Sequence, residues 1–385
     1  MTEIETLPQP TFLGGTKALT STPVVGEPAT AYNETFAPGE QLADGELRVT
    51  VLGSGTPWVT RAQAASSILV EVGNPERDLF LLDVGGGSMT NLSGLGLPVN
   101  ALNKVFLTHL HADHTADLIT LFGSYRKGGG RVGPVEVWGP SGSEPRYGTR
   151  HFVEAIREAC AWDSESTRGF HAEESFQLEV EEFDFIQTQV VYERNGVRIT
   201  SFPVIHALDG AVGYRIDYAG RSFVHSGDTR PCKPLVEAAE GGVDLLIHEC
   251  FPAAEILAES MGLPVERASA ILNMAHTTPR AAGKVFSLVQ PRMAGLWHTP
   301  LSPDGIPISF TELRKVYAGP VVQTQDLTVF NLTEEAVVAR QAQIPLQAAA
   351  VSGEPTIEPT IGEAPKDPDW WAEAAIPIDD VLALD

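Results

Sequence analysis

Cysteine, positive charge and long apolar runs are all scarce in this 385-residue chain. Cys160, Cys232 and Cys250 are odd in number and far apart, so they form neither a disulfide framework nor a Cys-x-x-Cys metal knuckle. Reduced, buried thiols fit a cytoplasmic protein, which is the compartment expected. The N-terminal MTEIETLPQP lacks the apolar centre of a signal peptide. No stretch reaches the roughly 18 apolar residues that a membrane span needs. Lysine and arginine total 26 against 50 acids, a net charge of −24, and no basic cluster offsets it. A polyanion would approach against that field, so nucleic acid is not expected as a partner. Gly85-Gly86-Gly87 is not followed by Gly-Lys-Ser/Thr, which argues against a nucleotide-binding phosphate loop.

Histidine, in contrast, is concentrated. In NKVFLTHLHADHTADLITL (103–121), Val105-Phe106-Leu107 reads as the end of a buried strand, and Thr115–Phe122 as the start of an amphipathic helix. Between them His109, His111, Asp113 and His114 occupy a short loop. Imidazole nitrogen and carboxylate oxygen are the ligands zinc takes when thiolate is absent. A lone histidine there would be a solvated loop residue or a helix cap. Three within six residues, with an aspartate between, point to metal.

Other chemistry-bearing residues fall at the ends of expected elements. Strands are read at Leu47–Leu52, Ser67–Val72 and Asp78–Leu82, an opening meander in which Asp83 meets the glycine run and binds buried amides. Val135–Trp138, Phe176–Phe185 and Gln189–Tyr192 read as strands and Thr149–Ala161 as a helix, with Trp162–Glu174 a polar lid or rim. Val197–Val204 delivers His206, and the Val212–Tyr218/Ser222–His225 hairpin delivers Asp228. Val243–Ile247 ends in His248-Glu249, His276 precedes a helix over Pro279–Val289, and Arg292–Trp297 is read as the last strand, ending in His298. Alone, Asp228 reads equally well as a turn residue and His206 as a loop histidine; together these placements suit one site at a sheet edge. Residues 1–46 read as an extended arm and 341–385 as a Pro/Ala-rich acidic tail, flexible or surface-docked, that includes Trp370-Trp371. The body between is 47–340.

THLHADH, FPVIH, HSGDT, LIHECF, AHTTPRAAGKV and LWHT together resemble the metallo-β-lactamase superfamily, in its ribonuclease Z and arylsulfatase-like branch, over roughly Leu47 to Thr333. The resemblance implies an α/β fold, a four-layer αβ/βα sandwich. It implies two zinc ions per chain: His109, His111 and His206 on one, Asp113, His114 and His298 on the other, and Asp228 bridging. It also implies that Asp113 orients the attacking hydroxide and that His276, held by Glu249, protonates the leaving group, with Asp83 and His248 in support. TVLGSGTPW, DGAVGYRIDYAGRSF and SGDTRP are similar to a subgroup with the chlorothalonil-hydrolysing dehalogenase and toxin-biosynthesis hydrolases. With no basic arm to grip tRNA, the expectation is a homodimeric zinc hydrolase of a small ester, amide, lactam or activated aryl halide. The alternatives are a ribonuclease Z-type phosphodiesterase and a non-enzymatic metal-binding member of the fold.

Overall fold

The computed structural model describes residues 35–300, 305–345, 347–349, 351 and 358–377, so most of the expected arm (1–34) and the end of the tail lie outside the described residues. Seven strands come first: β1 Thr35–Phe36, β2 Leu47–Gly53, β3 Ser67–Val72, β4 Leu79–Leu82, β5 Lys104–Phe106, β6 Val135–Pro140 and β7 Leu178–Phe183. The next seven build a second sheet: β8 Gln189–Arg194, β9 Val197–Pro203, β10 Val212–Tyr218, β11 Arg221–His225, β12 Leu245–Glu249, β13 Met293–Trp297 and β14 Val321–Gln323. The chain then returns to the first sheet with β15 Thr328–Leu332 and β16 Val337–Ala342. The spatial orders are β1-β16-β15-β2-β3-β4-β5-β6-β7 and β14-β13-β12-β11-β10-β9-β8.

Strand alternation explains the layering. In β2, Leu47, Val49 and Val51 point to the core between the sheets, joined there by Val70, Phe80, Phe106, Ile216, Ile247 and Trp297. The intervening Leu69, Leu81 and Val105 face an outer layer with Leu118, Leu121 and Phe122. On the other side Leu246, Val224 and Leu296 meet Ala282, Val285 and Phe286 of the helix Pro279–Val289. Both sheets are thus covered on both faces, as a four-layer sandwich demands. Each fully buried Leu, Val or Phe contributes about 1.5–3 kcal/mol relative to exposure.

Pairing changes character along each sheet. β2-β3-β4 is an antiparallel meander, whereas β4-β5-β6-β7 run parallel. β8 to β11 are antiparallel, and β11-β12-β13-β14 parallel. The β10–β11 hairpin turns at Ala219-Gly220, both with positive φ (48° and 78°), the geometry a two-residue hairpin needs. The carboxyl ends of the parallel strands from both sheets open to one edge, where ligands bind in open α/β sheets.

Several expectations are corrected. Arg292–Trp297 is not the last strand; β14, β15 and β16 follow it. β16 was hidden because it is polar at several positions and its Arg340 is buried through a paired contact with Glu40 Oε1 and Oε2 (2.6 and 2.9 Å). For the expected arm, which could wrap its own body or reach a partner, the described part includes β1 paired with β16 of the body. Two helices, Ala254–Met261 and Val265–Ala275, precede His276. Trp162–Glu174 overlaps the helix Ala161–Ser166, and Ala172 bridges to Ile361 of the tail. Trp370 and Trp371 lie on a short helix, 63% and 49% exposed.

Candidate metal centre

The histidine run is less of a loop than its sequence suggests. His111 is the N-cap of a short helix, Ala112–Thr115, so Asp113 and His114 sit in its first turn. The segment then passes through a turn into a π-helical stretch, Thr120–Ser124, instead of one continuous helix from Thr115. Starting the helix at Ala112 turns Asp113 and His114 inward, both buried, while His111 stays exposed at the entrance.

The residues named from the sequence converge. His109, His111, His206 and Asp228 bring ligand atoms within 4.8 Å of one another, and so do Asp113, His114 and His298. Asp228 lies between the sets: Oδ2 is 4.0 Å from His109 Nε2, 3.8 Å from His206 Nε2 and 3.1 Å from His298 Nε2, and Oδ1 is 3.4 Å from His114 Nε2. Asp113 Oδ2 lies 3.6 Å from Nε2 of both His114 and His298.

Outer partners set the tautomers. His206 Nδ1 donates to the Ala275 carbonyl (2.9 Å), and His298 Nδ1 to the Gly55 carbonyl (2.7 Å), with Ser66 Oγ at 2.8 Å. His114 Nδ1 donates to Asp83 Oδ2 (2.8 Å). Thr108 Oγ1 donates to the same Asp83 oxygen and lies 3.0 Å from His109 Nδ1. With Nδ1 of each ring occupied as a donor, the Nε2 lone pairs of all four point at the cluster. His111 is the exception and turns Nδ1 inward, 2.9 Å from His109 Nε2 and 3.2 Å from His206 Nε2.

Such an arrangement leaves lone pairs facing lone pairs. Asp113 Oδ2, His114 Nε2, Asp228 Oδ1 and His298 Nε2 are buried and make no hydrogen bond. Unpaired buried polar atoms cost about 1–3 kcal/mol each, and a divalent cation among them removes that cost. The donor set therefore fits a metal. Burial holds His109 well below its ordinary pKa and brings His206 down to about 4, the neutral state a ligand needs. For His114 burial opposes protonation, but the Asp228 and Asp83 carboxylates outweigh it and raise the ring. For Asp228 burial favours the neutral acid, and the surrounding His298 and His114 override it, so it stays ionised.

Asp83 is fully buried and also accepts from Thr108 N (2.7 Å), fixing the start of the motif to the end of β4. The glycine run has a steric cause: a Cβ on Gly85 would stand 2.1 Å from the Asp113 carbonyl oxygen and 2.6 Å from Ser66 N. Glu249 and His276 form a third group with Asp228. His276 Nδ1 is 3.0 Å from Glu249 Oε1, and Thr229 N donates to the same carboxylate at 2.7 Å. Burial raises Glu249 and lowers His276.

His248 stands apart. Neighbours in a strand face opposite ways, so with Glu249 turned inward His248 points to the helix layer, 6.2 Å from the Phe286 ring centroid. It belongs to no metal cluster among the described residues. Sequence reading passed over His225, buried against Trp297 (4.6 Å) with neither nitrogen hydrogen-bonded. It also passed over Ser66 and Phe251, the latter stacked on His276 at 3.9 Å. These carry no local signal, because long-range packing selects them.

Fold and site together define a metal-dependent hydrolase of the αβ/βα sandwich type. Residues 88–299 match the model of the β-lactamase superfamily domain, and residues 47–127 that of the anti-Pycsar protein Apyc1. The chain is 31% identical over 205 residues to ribonuclease Z of Mycobacterium marinum, covering 52% of this chain and 70% of that protein. It is 30% identical over 241 residues to ribonuclease Z of Mycolicibacterium gilvum, covering 61% and 78%. The chain therefore belongs to the metallo-β-lactamase superfamily, in the branch that holds ribonuclease Z. Solved structures agree on the fold: the Bacillus subtilis metallo-β-lactamase fold protein YhfI (TM-score 0.54, 20% identity, 74% of this chain and 100% of that one) and the short form of human tRNase Z (0.52, 20%, 73% and 98%). Among the described residues no helix is long and apolar enough to cross a membrane.

Proposed function

We propose that the protein is a dizinc phosphodiesterase of the ribonuclease Z type, with residues 47–340 as its catalytic unit. The observation that carries this reading is the His276–Glu249 pair beside the metal cluster, in a chain about 31% identical to ribonuclease Z. His109, His111 and His206 would hold one zinc, and Asp113, His114 and His298 the other, with Asp228 shared. Bound cations supply a Lewis acid for the phosphoryl oxygens and a water acidified toward neutrality.

The chain's own groups do the rest. Asp113 orients the attacking water through its carboxylate. Glu249, anchored by Thr229 N, holds His276 through Nδ1 beside Asp228, and the buried pair delivers its proton to the departing oxygen. Ribonuclease Z relatives shift the substrate expectation from a small organic molecule toward nucleic acid, although the net charge of −24 still disfavours an extended duplex.

A second reading, hydrolysis of a small organic substrate, is favoured by the largely apolar cleft lined by Pro57, Trp58, Ala64 and Ala65 beside His111 and Asp113. Zinc-loaded protein assayed on bis(p-nitrophenyl) phosphate and on p-nitrophenyl acetate separates the two. The phosphodiesterase reading expects diester turnover with the ester at background; the reverse would replace it with the second. Elemental analysis is expected to find two zinc ions per chain.

A further inference from the structure

The connection from β2 to β3, residues 54–66, is fixed at its base and free at its tip. Gly55 N donates to the Ala64 carbonyl (2.8 Å), closing the neck. Asp326 staples both sides: Oδ1 accepts from Ser54 N and Oγ (2.9 and 2.8 Å), and Oδ2 from Ala64 N (2.7 Å). Gly55 and Ser66, at the same base, hold His298 Nδ1. The loop is thus registered to the metal centre by the residues that orient one of its histidines.

Its tip carries Trp58 and Arg61. Trp58 rests edge-to-face on Phe251 (5.8 Å, 63°), the ring that stacks on His276, and remains 37% exposed. Both Trp58 and Arg61 line a cleft of about 800 Å³ that includes His111, Asp113, Gly86 and Gly87. That volume suits one ligand of nucleotide size. Arg61 is the one lysine or arginine lining the cleft, and no carboxylate pairs with it among the described residues. A large aromatic surface and an unpaired guanidinium, three residues apart beside a metal centre, match a base and its phosphate.

We propose that Trp58 and Arg61 form a subsite for one unpaired nucleotide next to the scissile bond, the base stacking on Trp58 and the phosphate pairing with Arg61. This deepens the phosphodiesterase reading and rests on it for the bond that is cut. It also accommodates an acidic body, because one unpaired nucleotide brings few charges into the field.

The test uses the full-length, zinc-loaded protein and calorimetric titration with thymidine 5′-monophosphate and with deoxyribose 5-phosphate, which lacks the base. The parent is expected to bind the nucleotide about tenfold tighter or more, as base stacking predicts. Trp58→Ala should abolish that preference and Trp58→Phe keep most of it, while Arg61→Met weakens both ligands alike. Absence of a preference in the parent, or its survival in Trp58→Ala, overturns the subsite. Turnover of bis(p-nitrophenyl) phosphate is read separately, so absence of base discrimination in the parent with diester turnover intact sinks the subsite alone. Base discrimination without diester turnover sinks the phosphodiesterase reading instead.

Discussion

Asp83 Oδ2 accepts from His114 Nδ1 at 2.8 Å, both side chains fully buried, and this bond joins the end of β4 to the metal cluster. It aims the His114 lone pair at Asp228 and fixes its tautomer. Asp83→Asn keeps the shape but weakens the acceptor. It is expected to lower zinc affinity at the Asp113–His114–His298 set about ten- to a hundredfold, measured by competition with a chromogenic chelator.

Ligand and proton-donor roles separate by substitution. His111→Ala and Asp228→Ala are expected to abolish both metal retention and turnover. His276→Ala should retain two zinc ions and slow turnover about a hundred- to ten-thousandfold. If elemental analysis found the His276 variant empty of metal, its place as proton donor would be lost.

Gly85 supports the site by absence of a side chain. Gly85→Ala places a Cβ 2.1 Å from the Asp113 carbonyl oxygen, with backbone rather than side-chain atoms as the obstacle. Destabilisation of about 1–3 kcal/mol or more is expected in urea unfolding, with preferential loss of the metal that Asp113 would hold.

Buried neutral histidines set an acid limit to stability. Burial brings His248 down to about 4 and His225 to about 3, against about 6.5 in the unfolded chain. Between those values the unfolded state binds protons that the native state refuses. Stability is therefore full above about pH 6.5 and falls as pH drops toward 4, by on the order of 3 kcal/mol from His248. Denaturant midpoints of the metal-free protein at pH 7.5 and 5 test this, and His248→Gln should reduce the difference while the contribution of His225 remains.

Much of the site could be read without coordinates because its ligands cluster in sequence or terminate strands. THLHADH places three imidazoles on one turn, and the segments ending in His206, Asp228 and His298 each close an apolar run whose period identifies a strand. The roles expected of Glu249 and His276 came from the resemblance to ribonuclease Z, on the segments LIHECF and AHTTPRAAGKV. The direction in which His248 faces could not be read, since strand parity decides which of two adjacent residues faces the site and that parity depends on register. Phe251, Ser66 and His225 stayed invisible because their contacts join residues far apart in the chain.

What the chain alone determined is the inventory: apolar strands buried on both faces, a metal-type histidine motif, and acids with too few bases to wrap a duplex. Local periodicity and residue chemistry are properties of neighbours, so they survive in one dimension. The tertiary structure decided which of these groups meet, where β15 and β16 close the first sheet, and that the loop of Trp58 and Arg61 is tied by Asp326 to the cleft. Those outcomes follow from sheet order and long-range packing, which no local pattern encodes.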